Sequence, residues 1–204
     1  MKKDNLDDLR QNNFNLKKFI DEYFKKDVPL VYGDGMPGAQ IALIGEAPGR
    51  NEVEKGKPFV GQAGKNLEEF MEILELKREE IYITNVVKFR PYRINRKTQR
   101  ISNRPPTREE IKISEPFLKK ELEILDPKLL VSLGNVPLKC LTGCETATIG
   151  KYHGKPLDIN FTGKTMVLFP LYHPASIIYR AELKLVYLED LRKLKEYLHY
   201  NNIL

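Results

Sequence analysis

Four short apolar runs, each closed by glycine or a polar residue, recur along the chain with longer periodic segments between them. They are IALIG (41–45), IYITN (81–85), LLVSLG (129–134) and MVLFP (166–170). Strands that are apolar throughout need cover on both faces, and helices placed between successive strands supply it by making the strands parallel. The intervening segments have helical spacing. AGKNLEEFMEILEL puts Leu67, Phe70, Met71 and Leu74 on one face. TREEIKISEPFLKKELEIL opens with Thr107 three residues before Glu110, a capping-box pattern, and carries Ile111, Leu118, Leu122 and Leu125. ELKLVYLEDLRKLKEYL repeats Leu183, Tyr187, Leu191, Leu194 and Leu198, and a further helix is expected from about Leu6 to Phe24. The expected fold is a three-layer α/β/α domain around a central four-stranded parallel sheet. One domain is expected over residues 1–204, with 1–30 as an N-terminal helical extension.

In open α/β sheets, ligands bind beyond the carboxyl ends of the strands. Three of the four strands end in a polar side chain beside proline or glycine: Glu46 in GEAPG, Asn85 in TNVVKFRP and His173 in YHPAS. The stretch GEAPGRNEVEKGKPFVGQAG (45–64) is too long for a simple turn. It matches neither common phosphate loop, G-x-G-x-x-G or G-x-x-x-x-G-K-[ST]. Phe59 lies in it among polar residues, where an aromatic ring can stack on a base or plug the core. Asn85 offers both a donor and an acceptor, as an imide edge requires, or is a turn residue. His173 is either a donor to a developing anion or a structural histidine.

The formal net charge is +6, and its distribution is uneven. Between Ile81 and Arg108 stand Lys88, Arg90, Arg93, Arg96, Lys97, Arg100, Arg104 and Arg108, with no acid. Setting these eight aside takes the formal charge from +6 to −2. A patch of this kind is the footprint of a polyanionic partner. The segment RPYRINRKTQRISNRPP within 88–108 reads as a long exposed basic loop, and such loops are usually functional. Two cysteines, Cys140 and Cys144, and three scattered histidines do not make a metal site. No run reaches the roughly 20 apolar residues that span a membrane, and no secretory signal is read at the N-terminus, so a cytoplasmic location is expected.

The motifs GEAPGRNEVEKGKPFVGQAGKNL, TNVVKFRP and HPAS stand in this order, with RPPTREEIKISEPFLKKELEILDPKLLVSLGNVPL before the third. Together they resemble the uracil-DNA glycosylase superfamily, specifically its family 4, from about Val31 to Arg180. The resemblance implies a pocket for a flipped-out uracil in DNA, hydrolysis of its N-glycosidic bond and an abasic product. It implies that Phe59 stacks on the base, Asn85 reads its polar edge and His173 donates to O2. Glu46 and Glu52 would position or activate the attacking water, and Ala47, Pro48 and Gly49 would shape the pocket floor. DNA contacts are implied for Lys88, Arg90, Arg93, Arg96, Lys97, Ser176 and Arg180, with Ile177 or Ile178 as a wedge in the minor groove or as core residues.

The chain also departs from the family pattern. Members with an iron–sulfur cluster carry four cysteines. Here the N-terminal segment FIDEYFKKDVPLVYGDG has none, Phe89 follows Lys88 at the third place and Ser114 holds the fourth. No cluster is expected, and Phe24, Phe89 and Ile113 are expected to fill that volume. Val53 follows Glu52 where many members have an acid, and Ala47 stands where other uracil glycosylase families have a catalytic aspartate. The absence of histidine between 81 and 108 speaks against covalent chemistry on the abasic site. A monomeric, monofunctional repair glycosylase is the first reading. A non-catalytic nucleic-acid-binding protein that keeps the fold is the second.

Overall fold

The computed structural model describes residues 2–176 and 182–203. The four apolar runs form the centre of one sheet: β2 (Ile41–Gly45), β3 (Ile81–Asn85), β6 (Leu129–Leu133) and β8 (Thr165–Leu171). Two antiparallel edge strands join them, β1 (Asp34–Gly35) and β7 (Leu157–Asn160), so the sheet has six strands in the order β1-β3-β2-β6-β8-β7. The four-stranded parallel sheet read from the sequence is therefore its core. Its edges escaped because a two-residue strand and the half-exposed LDIN have no apolar run to betray them.

Side chains alternate across a strand, and the two faces build two cores. Ile41, Leu43, Ile81, Ile83, Val131 and Phe169 meet Leu67, Phe70 and Leu74 of α3 (Gln62–Leu74) and Tyr187, Leu191 and Leu194 of α6 (Glu182–Tyr200). Ala42, Ile44, Tyr82, Leu130 and Leu168 meet Leu16 and Ile20 of α1 (Lys2–Phe24) and Leu118 and Leu122 of α4 (Arg108–Leu125). The same face also holds Leu138 and Leu141 of α5 (Asn135–Thr142). Helix α4 starts where the capping box places it: Thr107 Oγ1 accepts from the Glu110 N–H, and the Glu110 carboxylate accepts from the Thr107 N–H. A short helix, α2 (Arg50–Lys55), divides the glycine-rich stretch after β2.

The basic segment is a hairpin rather than an irregular loop. Strands β4 (Tyr92–Ile94) and β5 (Ile101–Asn103) pair antiparallel, and Asn95 Oδ1 closes the turn by accepting from the Lys97 and Thr98 N–H groups. Three-residue strands with exposed faces leave too short an alternation to be read. At the hairpin's exit the Arg104 guanidinium grips the Glu110 carboxylate through two 2.7 Å bonds, tying it to the start of α4.

Lys88, counted with the basic patch from the sequence, is only 3 % exposed. Its Nζ spends all three donors inside the protein, each at 2.6 Å: on Thr84 Oγ1, the Asn85 carbonyl and Glu121 Oε2 of α4. Glu121 also accepts from the Tyr82 hydroxyl at 2.9 Å and from Thr84 Oγ1. Removing an ion from water costs several kcal/mol, which only a fully bonded pair offsets. The Lys88→Met variant strands the Glu121 carboxylate and is expected to lose about 3–5 kcal/mol of unfolding free energy. Lys88→Met/Glu121→Leu is expected to recover much of that loss, an ordering that chemical denaturation of the two variants beside the parent checks.

Candidate active site

Parallel pairing sets Gly45, the last residue of β2, directly beside Asn85, the last of β3. Glycine is required there. A Cβ at residue 45 would lie 2.3 Å from Asn85 Oδ1 and 2.8 Å from Phe59 Cζ, so the missing side chain lets amide and ring close together. Phe59 is 4 % exposed and has φ of 52°, a left-handed backbone that costs a bulky residue about 1–2 kcal/mol. Glu52 holds it there. Its Oε1 accepts from the Phe59 N–H at 2.6 Å, and its Oε2 accepts from the Gly49 N–H. On the outer side Arg78, paired with Asp34, donates to the Pro58 carbonyl at 2.8 Å.

The Phe59 ring faces the His173 ring at 6.0 Å and 29°, bringing the segment after β8 to the same place. His173 Nδ1 accepts from the Ala175 N–H at 3.1 Å, so the neutral ring carries its proton on Nε2. Burial pushes the imidazole pKa down to about 4, which keeps it neutral at physiological pH. Asn85 is 2 % exposed, and its Nδ2 has no hydrogen-bond partner among the described residues. A buried orphan donor costs about 1–3 kcal/mol. Such a cost persists where a ligand supplies the acceptor.

These groups surround a cavity of about 330 Å³ lined by Ala47, Gly49, Glu52, Phe59, Asn85 and His173, together with Arg50, Asn51, Gly61, Asn103 and Ala175. Six of the eight residues expected at the base or the water thus share one cavity; Glu46 and Pro48 do not line it. Glu46 is half-buried directly before Ala47, and its side chain has no hydrogen-bond or ion-pair partner among the described residues. Desolvation raises its carboxyl above the ordinary carboxylate range. The sequence reading missed Arg50, Asn51 and Asn103. Asn103 reaches the pocket only because β5 folds the far end of the hairpin back toward Gly49, a distance no local pattern encodes.

Of the residues expected on DNA, Lys88 is interior, as described above, and Arg90 is half-buried with its Nε on Asn103 Oδ1 at 2.7 Å. Arg93, Arg96 and Lys97 are exposed along the hairpin. The Ser176 N–H donates to the His173 carbonyl at 2.8 Å. Ile177, Ile178 and Arg180 lie outside the described residues.

A family model for the uracil DNA glycosylase superfamily matches residues 32–198. Three curated relatives carry the name type-4 uracil-DNA glycosylase. That of Sulfurisphaera tokodaii is 36% identical over 95% of this chain and 84% of its own length. The Archaeoglobus fulgidus protein is 36% identical over 95% of this chain and 93% of its own. The Saccharolobus solfataricus protein is 40% identical over 85% of this chain and 77% of its own. The chain belongs to the uracil-DNA glycosylase superfamily.

The iron–sulfur cluster that the family 4 resemblance brings to mind does not fit the residues present. Phe89 is buried and meets Phe24 edge to face at 5.2 Å, while the Ser114 hydroxyl donates to the Glu110 carbonyl. Ile113 packs half-buried against the same core. Cys140 is buried in α5, its thiol pushed up to about 12 by burial, and Cys144 is exposed beyond the helix end. No group of three or more His, Cys, Asp or Glu side chains among the described residues could hold a metal ion.

Gly45→Ala places a methyl group against both Asn85 and Phe59 and is expected to lower kcat/KM for the pocket's substrate by about 100-fold, as a misplacement of about 1 Å can. Thermal unfolding of the same variant checks that the protein still folds.

Proposed function

We propose that this protein removes uracil from DNA by hydrolysing its N-glycosidic bond. The buried, unpartnered Asn85 Nδ2 at the wall of the cavity carries the reading. An imide edge offers an acceptor carbonyl and an N–H side by side, and an amide answers both. Cytosine presents an amino group where Asn85 needs an acceptor. Phe59 provides the face against which the flipped base lies, and the stacking helps offset the few kcal/mol of unstacking.

As the bond to C1′ breaks, its electron pair passes to uracil N1 and delocalises onto O2. The Nε2–H of His173 donates to that oxygen. A neutral imidazole is the suitable donor, because burial makes the imidazolium costly and the bond to O2 strengthens only as charge develops. Water adds to C1′ and gives its proton to Glu46, which has a free carboxylate. Glu52 has both oxygens on backbone N–H groups and acts as a positioning residue for the Gly49–Phe59 loop. The pocket residues perform the reaction without an iron–sulfur cluster. The hairpin arginines and the segment from Ser176 to Arg180, including Ile177 and Ile178, contact the DNA. The protein acts as a cytoplasmic, one-domain monomer. The relatives' names support the reaction class.

A labelled oligonucleotide carrying one uracil, incubated with the protein and then treated with alkali, tests the reading. Cleavage at the uracil that both Asn85→Ala and His173→Ala reduce by about 100-fold or more is the expected result, from the usual cost of losing a transition-state hydrogen bond. Salt-sensitive binding without cleavage would establish the non-catalytic protein instead.

The pH profile separates the two titrating groups. Glu46 works as carboxylate, and burial raises its pKa. Single-turnover excision is therefore expected to fall as pH drops through a value above the ordinary carboxylate range, a limb that Glu46→Gln abolishes along with most of the rate. His173, with its pKa pushed down to about 4, contributes no limb until the pH approaches that value.

A further inference from the structure

Beside the base cavity lies a second one, of about 620 Å³, lined by Arg50, Arg90, Arg100 and Ile101. Arg50 lines both cavities, so the two share a wall. The second cavity draws on two distant parts of the chain: Arg50 opens α2, while Arg90 and Arg100 come from the two sides of the hairpin. Among the described residues no carboxylate lines it.

Elsewhere the half-buried arginines are neutralised, Arg104 by Glu110 and Arg78 by Asp34. Here the accounting differs. Arg50 places its Nε on Glu54 at 2.7 Å in an exposed i,i+4 pair, which leaves its other N–H groups available. Arg90 places its Nε on the neutral Asn103 amide at 2.7 Å. The Arg100 side chain has no hydrogen-bond or ion-pair partner among the described residues. Three arginines thus line one cavity with only one acidic partner among the described residues, and a bound anion would supply the missing counter-charge. Planar N–H forks match phosphate oxygens better than any other side chain does.

We propose that Arg50, Arg90 and Arg100 form a cradle for one backbone phosphate adjacent to the nucleotide whose base occupies the neighbouring cavity. This deepens the glycosylase reading and rests on it. The hairpin then does more than spread positive charge. It completes a nucleotide-shaped site, with Asn103 linking the two halves by accepting from Arg90 while lining the base cavity. One phosphate is held by geometry, and the other hairpin cations act as a diffuse field.

The experiment uses uracil oligonucleotides in which single phosphates near the uracil are replaced, one at a time, by uncharged methylphosphonates. Equilibrium binding and single-turnover excision are measured for the parent protein and for Arg100→Ala and Arg93→Ala. Arg93 lies on the same hairpin but outside the cradle, its Nε on Ser102 Oγ. A charge-assisted hydrogen bond is worth about 1.5–3 kcal/mol, or about 10-fold or more in affinity. The parent is expected to lose about 10-fold at one position. Arg100→Ala is expected to lose about the same on the natural backbone and little further at that position, while Arg93→Ala keeps the parent's sensitivity.

Equal sensitivity of Arg100→Ala and the parent at every position would overturn the cradle and leave a diffuse basic field. Thermal unfolding of Arg100→Ala, an exposed residue, checks that folding is intact. Excision by the parent reports on the glycosylase reading separately. If the parent binds but does not excise, that reading fails, and the binding comparison still decides the cradle.

Discussion

The Lys88 ammonium enters the interior directly after the strand that carries Asn85, and much of the site hangs on how it is satisfied. Its three donors reach the Asn85 carbonyl, a hydroxyl of the same strand and a carboxylate on α4. The Lys88 carbonyl accepts from the Val31 N–H at 2.7 Å, which draws in the segment after α1. The next residue, Phe89, fills the apolar space against Phe24. One charged group thus fixes the end of β3, the base of the hairpin and the docking of α4. Because an unpaired buried charge is so unfavourable, these elements have little freedom to settle independently.

Above that anchor the pocket is assembled from groups that are poorly satisfied in the free protein. Phe59 occupies a left-handed backbone conformation, and Asn85 keeps a buried donor without a partner among the described residues. Each costs stability, and each is held by neighbours that would be hard to displace: the Glu52 carboxylate on two backbone N–H groups, and the bare Cα of Gly45. Such a pocket meets its ligand without reorganising, the condition under which fixed dipoles are most effective. Glu52 shows how geometry bears on a proposed role. The family resemblance makes it a candidate for water activation beside Glu46, and its two oxygens accept from the Gly49 and Phe59 N–H groups.

The parts legible in the sequence are those whose signal is local. All four core strands could be read because burial on both faces leaves an uninterrupted apolar run, and α4 because Thr107 and Glu110 stand three apart. The strand-end rule singled out Glu46, Asn85 and His173 before any fold was drawn, and two of these, Asn85 and His173, line the cavity. What escaped depends on partners distant along the chain. A lysine in a basic run looks solvated until Glu121, 33 residues on, is known to face it. Asn103 looks like a loop residue until β4 and β5 pair. Arg50 and Arg100 lie 50 residues apart, and only the folded hairpin makes them one feature.

The distribution of charge around the site separates binding from chemistry. Positive charge is concentrated on the hairpin and on Arg50, which lines both cavities, whereas the polar side chains that the ends of β3 and β8 bring to the base cavity are an amide and a neutral imidazole. Contacts to phosphate are the same before and during bond cleavage, so they raise affinity without lowering the barrier from the bound state. Under the proposed mechanism the neutral dipoles act oppositely: His173 would interact weakly with a ground-state carbonyl and strongly with the oxygen of a departing anion. In the proposed mechanism arginine supplies the grip on DNA and neutral dipoles assist cleavage, and an imidazole whose pKa burial pushes down to about 4 adds no positive charge of its own beside the departing anion.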